Sequence, residues 1–221
     1  MRDQPFYFEI KDLITQFVAA FNSVVINRYD KNRVADEKKL RVSYVYAPKQ
    51  RVIQDLVNKS MHLTLPVIAV TIGGIQRDGS RVFNKILGSF YANNGSGSTD
   101  FLPQPVPINI TVNMSILTKY QTDMDQILSN FIPYSNPYVV ISWKIPSSFV
   151  EVPQEIRTEV LWSDSLNMSY PSDVDSSTPY RVSADTSFII KGWLFPKNQD
   201  PVNNIFVIDV NFIPVSGFEI E

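Results

Sequence analysis

Between Pro107 and Thr118 the chain alternates Ile108, Ile110, Val112, Met114 and Ile116 with Asn109, Thr111, Asn113 and Ser115. Only an extended backbone puts every second residue on one side, so this stretch is a half-buried strand with one apolar and one polar face. Its backbone groups need partners on neighbouring strands, which commits the chain to a sheet. The period then changes. Met124, Ile127, Leu128 and Phe131 share one side of a helix expected over Thr122–Ile132, with Thr122 as its cap and Asp123 and Asp125 at its positive end. Pro133 and Pro137 are expected to end it.

Upstream, Phe6, Ile10, Leu13, Ile14, Phe17, Val18 and Phe21 recur at helical steps, with Asp3 placed as N-cap and Pro5 near the first turn. Val24–Arg28 and Leu40–Tyr46 read as strands around the charged turn Asp30–Arg33, with Leu40, Val42, Tyr44 and Tyr46 on one face. Pro48 opens a short helix to Asn58 that turns Val52, Ile53, Leu56 and Val57 inward. Leu65–Gly73 is a strand that stops at Gly73-Gly74. From Gly79 to Pro105 runs about 27 residues, long for a connection, so a loop or hairpin arm is expected over roughly 75–106. Its first part, Val82 to Tyr91, fits a helix or the return strand of a hairpin turning at Asp78-Gly79, and Asn93–Ser98 is a flexible linker by composition. Val139–Trp143, Glu155–Trp162, Arg181–Trp193 and Asn204–Phe212 supply further strands. With no long repeat and no composition shift, the reading is one α/β (α+β) domain over 1–221, a mixed and largely antiparallel sheet flanked by a few helices.

Composition removes whole classes of function. The 20 basic and 22 acidic residues give a net charge of −2, too balanced for a general nucleic-acid binder. No cysteine and one histidine leave no disulfide framework, thiol nucleophile or ordinary zinc site. Neither a signal peptide nor a membrane span is expected, which makes a soluble protein of a reducing compartment the default. The residues that do suggest chemistry give little. Gly74–Gly79 has the outer glycines of a phosphate loop, but Ser80-Arg81 stand where Lys and Ser/Thr belong, so a turn is expected. Asp123 and Asp125 point about 200° apart on a helix and do not converge on a metal. Asp173 and Asp175 lack the spacing of a calcium loop, and His62 has no serine elbow to serve, Ser96 lying in a linker-like tract. No cofactor or metal site and no catalysis are expected.

Recognition is better served. Pro133-Tyr134, Pro137-Tyr138, Trp143, Trp162, Tyr170-Pro171, Pro179-Tyr180 and Trp193 to Pro196 set rigid aromatics beside proline or at strand ends, where they suit contact surfaces.

Four blocks resemble one family, the tail-completion and sheath-stabiliser proteins of contractile-tailed phages of the T-even kind. Leu40–Leu56 (LRVSYVYAPKQRVIQDL) is similar to its strand ending in Tyr-Ala-x-Lys before a helix, and Leu65-Pro66 to the opening of its next strand. Met114–Tyr134 (MSILTKYQTDMDQILSNFIPY) resembles its strand, Thr-(Lys/Arg)-Tyr, Asp-Met and helix ending in Pro-Tyr, and Phe188–Pro196 (FIIKGWLFP) its late Gly-Trp strand. The resemblance implies a tail-terminator-like protomer of a homo-hexameric ring at the head-proximal end of the tail. Sheath protein, terminator or tube protein and neck proteins would be its partners. Its place would be the virion's tail–neck junction after assembly in the host cytoplasm, with DNA passing the lumen unread and no membrane involved. The contact residues expected on composition and resemblance together are Asn93, Asn94 and Asp100 in the arm; Pro133, Tyr134, Pro137 and Tyr138 after the third helix; and Gly192, Trp193, Phe195 and Pro196. The alternatives are a head-side neck ring, a nucleotide-handling enzyme of a different class using Gly74–Gly79, and a binding-only monomer.

Overall fold

The computed structural model describes residues 6–29, 35–58, 63–82, 89–92, 98–102, 104–145, 154–170, 181–196 and 202–203, with backbone alone for 35–38, 89–92, 98–102 and 202–203. The expectations placed on Asp3, Pro5, Asp30–Arg33, His62, residues 83–88, Asn93–Gly97, Pro171, Asp173–Asp175, Pro179-Tyr180 and Asn204–Phe212 lie outside them.

The alternating stretch is strand β7 (Val106–Thr118), and both of its edges are paired. On one side runs β4 (Val67–Arg77), on the other β10 (Val182–Leu194), each antiparallel to it. Outward from β4 lies β3 (Ser43–Tyr46), in parallel; outward from β10 come β9 (Glu155–Ser169) and then β8 (Val139–Lys144), antiparallel. The six-stranded order is thus β3-β4-β7-β10-β9-β8. A parallel neighbour needs a crossover, and helix α2 (Lys49–Asn58) provides it between β3 and β4.

One face of this sheet carries the larger core. Helix α1 (Glu9–Phe21) and helix α3 (Gln121–Tyr134) press Leu13, Phe17, Phe21, Met124, Ile127 and Phe131 onto Ile110, Val112, Met114, Ile116, Phe188 and Ile190. Phe188 sits at the middle, with the rings of Phe17, Phe21 and Phe131 at 5.2, 5.3 and 5.5 Å. Such tilted and edge-on contacts suit the charge distribution of aromatic rings. The hairpin β1 (Val25–Tyr29) and β2 (Ala35–Arg41) closes this side, held to α3 because Gln126 exchanges both amide hydrogen bonds with the backbone of Asn27. On the opposite face α2 buries Val52 against Val67, Ala69 and Leu117.

Several expectations need correction. Helix α1 begins at Glu9, after Phe8 in a left-handed conformation (φ 62°), so exposed Phe6 precedes the helix. Leu40–Tyr46 is two strands: Val42 interrupts it, Leu40 joins the hairpin and Tyr44 and Tyr46 join the main sheet. Strand β4 does not stop at Gly73-Gly74, since a bulge between Ile72 and Gly74 absorbs the extra residue and pairing continues to Arg77. Gly74 to Arg77 are therefore strand, and the turn starts at Asp78. Helix α3 starts at Gln121 with no side-chain cap from Thr122, and it takes in Pro133, which lacks an N–H to donate, before ending one residue later at Tyr134. Val57 is exposed, since the core beneath α2 is narrow.

The arm has an order of its own. β5 (Ser89–Ala92) and β6 (Ser98–Leu102) form an antiparallel hairpin, and β11 (Val202–Asn203) adds to β6, giving β11-β6-β5. Residues 89–91, the described end of the expected helix or return strand, pair with β6 and not with β4, and 83–88 lie outside the described residues. The sequence of chain connections makes the trio β5, β6, β11 follow β4, β7, β10 strand for strand.

Candidate assembly interface

Sheets end in edges, and the unpaired N–H and C=O groups there invite another chain. Among the described residues, β3 is bonded only to β4, and β8 only to β9. Strand β9 outruns β8, so its Leu161–Ser169 half pairs with β10 alone. The two edges differ in kind: one is short and parallel, the other antiparallel and long. Each has a projecting tyrosine, Tyr46 (63% exposed) at the end of β3 and Tyr138 (46%) at the start of β8. Val140, exposed on the outer face of β8, extends the second patch.

The aromatic residues expected at contacts divide. Tyr134 and Tyr138 are exposed, the former with its ring edge-on to Phe21 at 5.5 Å. Pro133 closes α3, and Pro137, after a cis peptide bond, leads into β8. Trp143 is instead core: it is buried, its Nε1 donates to Thr158 Oγ1 at 3.2 Å, and Phe195 packs edge-on. Trp162 likewise turns inward, donating to Thr186 Oγ1 at 2.6 Å and meeting Phe131. Trp193, Phe195 and Pro196 are half-buried, and the Phe195 N–H is taken by Glu9 Oε1 at 2.9 Å. Gly192 is buried; a Cβ there would stand 2.8 Å from Leu13 Cδ1, so close packing of α1 explains this glycine. Asp100 lies on β6, and Asn93 and Asn94 fall outside the described residues.

The signals for chemistry resolve into structure. Gly79 opens a three-residue 3₁₀ turn ending at Arg81, so Gly74–Gly79 has neither the loop nor the helix start that cradles phosphate. Arg81 donates to Asp78 Oδ2 at 2.7 Å, to the Ile108 carbonyl at 2.9 Å and to Asn109 Oδ1 at 3.1 Å, and lies over the Trp193 ring at 4.9 Å. Hydrogen bonds from Ser80 and Arg81 hold the Asp78 carboxyl well below the usual range. Asp123, expected only to favour a helix start, is buried and paired with Arg28 at 2.8 Å, the guanidinium also covering the Tyr120 ring at 4.9 Å. Burial pushes its carboxyl above the usual range although Arg28 opposes the shift. Among the described residues no three His, Cys, Asp or Glu side chains converge to hold a metal. A void of about 10 Å³ beside Tyr44, Met114 and Phe131 has room for one water at most. No described helix is long and apolar enough to cross a membrane.

Sequence reasoning missed Arg28, Lys49 and Arg81. Lys49 donates from α2 to Asp185 Oδ2 at 2.6 Å and to Ser183 Oγ at 3.1 Å, while Ser115 donates to Asp185 Oδ1. A signal existed in part, because Lys49 closes the Tyr-Ala-x-Lys block and Asp123 opens the Asp-Met block.

Comparison with known proteins adds the family. The model of the T4-like virus Myoviridae tail sheath stabiliser matches residues 6–217. The tail completion protein gp15 of Enterobacteria phage T4 is 27% identical over 107 residues, which cover 47% of this chain and 38% of that protein's length.

Proposed function

The chain belongs to the T4-like Myoviridae tail sheath stabiliser family, a structural component of a virion's tail, and from that premise we propose that six copies close into a ring at the head-proximal end of a contractile tail. The ring terminates and stabilises tube and sheath and offers the surface on which the capsid neck docks. It acts by shape, with no catalytic step. The observation that carries this reading is the family match across nearly the whole chain. Two features of the protomer support it. A closed ring needs a heterologous contact, one patch meeting a different patch on the next copy. The β3 edge with Tyr46 and the β8 edge with Tyr138 are two such unlike patches at opposite ends of one sheet. The arm β5-β6-β11 is the second feature, able to reach beyond the protomer's own sheet and contact a neighbour.

Light scattering over a concentration series tests the ring. Six copies of a 25.2 kDa chain give about 151 kDa. A mass that stays at 25 kDa up to the highest concentration, in the presence of tails as in their absence, overturns the reading.

A further inference from the structure

We propose that Arg81 is a positioning residue for assembly: it pins the root of the arm to its three parent strands and so sets the direction in which the arm meets a second copy of this chain. The inference rests on the ring reading above. Strand β4 leads through Asp78–Arg81 toward β5, β6 leads into β7, and β10 leads toward β11. Where these strands leave the main sheet, one guanidinium touches all three. It meets Asp78 just past β4, Ile108 and Asn109 at the start of β7, and Trp193 at the end of β10.

The pin is itself held. Asp78 donates its N–H to the Pro107 carbonyl at 3.0 Å, closing the β4–β7 ladder, and its other carboxylate oxygen accepts from Ser80 N and Oγ at 3.0 and 2.6 Å. Both carboxylate oxygens are therefore engaged. The Arg81–Asp78 bond joins two ionised groups and is therefore charge-assisted, and because Arg81 is half-buried it is less exposed to competing water than a surface pair. A planar fork that bonds sideways while its face stacks on an indole is a geometry lysine does not supply. The 3₁₀ turn Gly79–Arg81, capped by the Asp78 side chain, follows β4 directly and carries Arg81.

The test uses the full chain as Arg81→Gln, Arg81→Lys and Arg81→Ala, with amide exchange read by mass spectrometry and assembly read by light scattering. Arm amides in 89–92 and 98–102 should exchange about tenfold faster in all three variants while those of β4, β7 and β10 stay within about twofold. The concentration for half-assembly should rise about tenfold or more, with Arg81→Lys failing to restore it. Equal arm exchange and equal assembly in Arg81→Gln and wild type overturn the inference, as does full rescue by lysine. If Arg81→Ala loosens the whole sheet, Arg81→Gln, which keeps an amide donor and much of the stem, decides. A wild-type chain that never assembles defeats the ring reading instead, and arm exchange still reports on the pin.

Discussion

Lys49 Nζ stands 2.6 Å from Asp185 Oδ2, joining the first turn of α2 to the first half of β10. Asp185 Oδ1 meanwhile accepts from Ser115 on β7. One carboxylate thus ties a crossover helix to two central strands, at a point where α2 itself buries little beyond Val52. Lys49→Ala should cost about 0.5 to 1 kcal/mol, since the pair is partly exposed. The loss should be local. Amides of Lys49–Asn58 should exchange faster while those of α1 and α3 do not change, a pattern that exchange mass spectrometry reads directly.

Arg28 and Asp123 should respond unequally. Arg28→Ala leaves a buried carboxylate alone and should cost about 2 to 3 kcal/mol, near the low end of the range because Arg28 is itself a third exposed. Asp123→Asn keeps a polar group and leaves a cation that can reach water, so about 1 kcal/mol or less is expected. The pH dependence has a definite sign. With burial unopposed in Arg28→Ala, the Asp123 carboxyl moves further up, and the folded state holds its proton where the unfolded chain has released it. Stability then falls as pH rises through that window. Urea midpoints should show the deficit of Arg28→Ala largest near neutral pH and smaller at about pH 4.

Gly192→Ala should destabilise by about 1 to 3 kcal/mol, because the added methyl meets Leu13 Cδ1 at 2.8 Å. The double variant with Leu13→Val should cost less than the sum of the two single changes, a coupling that thermal or urea unfolding measures. Additive costs would show that Gly192 serves something other than the approach of α1.

Unlike patches make a complementation experiment possible. Tyr46→Asp and Tyr138→Asp sit on opposite edges and should each leave unfolding within about 0.5 kcal/mol of wild type, as exposed substitutions do. Each should block the ring. An equal mixture should yield dimers, since each variant keeps the patch that the other has lost. Light scattering of the two variants, alone and mixed, checks this.

The strand at the centre was legible because one of its faces is buried and the other polar along its whole length, from Ile108 to Ile116. The inward side of α3 was legible for the same reason, and the mixed α and β content followed. What alternation does not encode is the partner. Leu40 and Tyr44 obey a single period yet belong to different sheets, and only the interruption at Val42 separates them. Gly73-Gly74 reads as a stop because glycine breaks strands, whereas here it makes a bulge. The second half of β9, Ser163 to Ser169, is mostly exposed and carries only Leu166 and Met168 as apolar residues, too few to mark a strand. The ionic ties Arg28–Asp123 and Lys49–Asp185 span 95 and 136 residues, so local pattern marked Lys49 and Asp123 through their sequence blocks but not the partners they pair with. Trp143 and Trp162 read equally as contact anchors or as core; Trp143 is buried and Trp162 packs half-buried against the core, their indole N–H groups satisfied by threonines on adjacent strands.

Electron microscopy of purified protein mixed with finished tails lacking it tests the ring most directly. A ring predicts a six-fold collar at one end of each tail, the end that then accepts capsids. Density spread along the sheath, single protomers at the tip, or tails that join capsids equally well without the protein would contradict it.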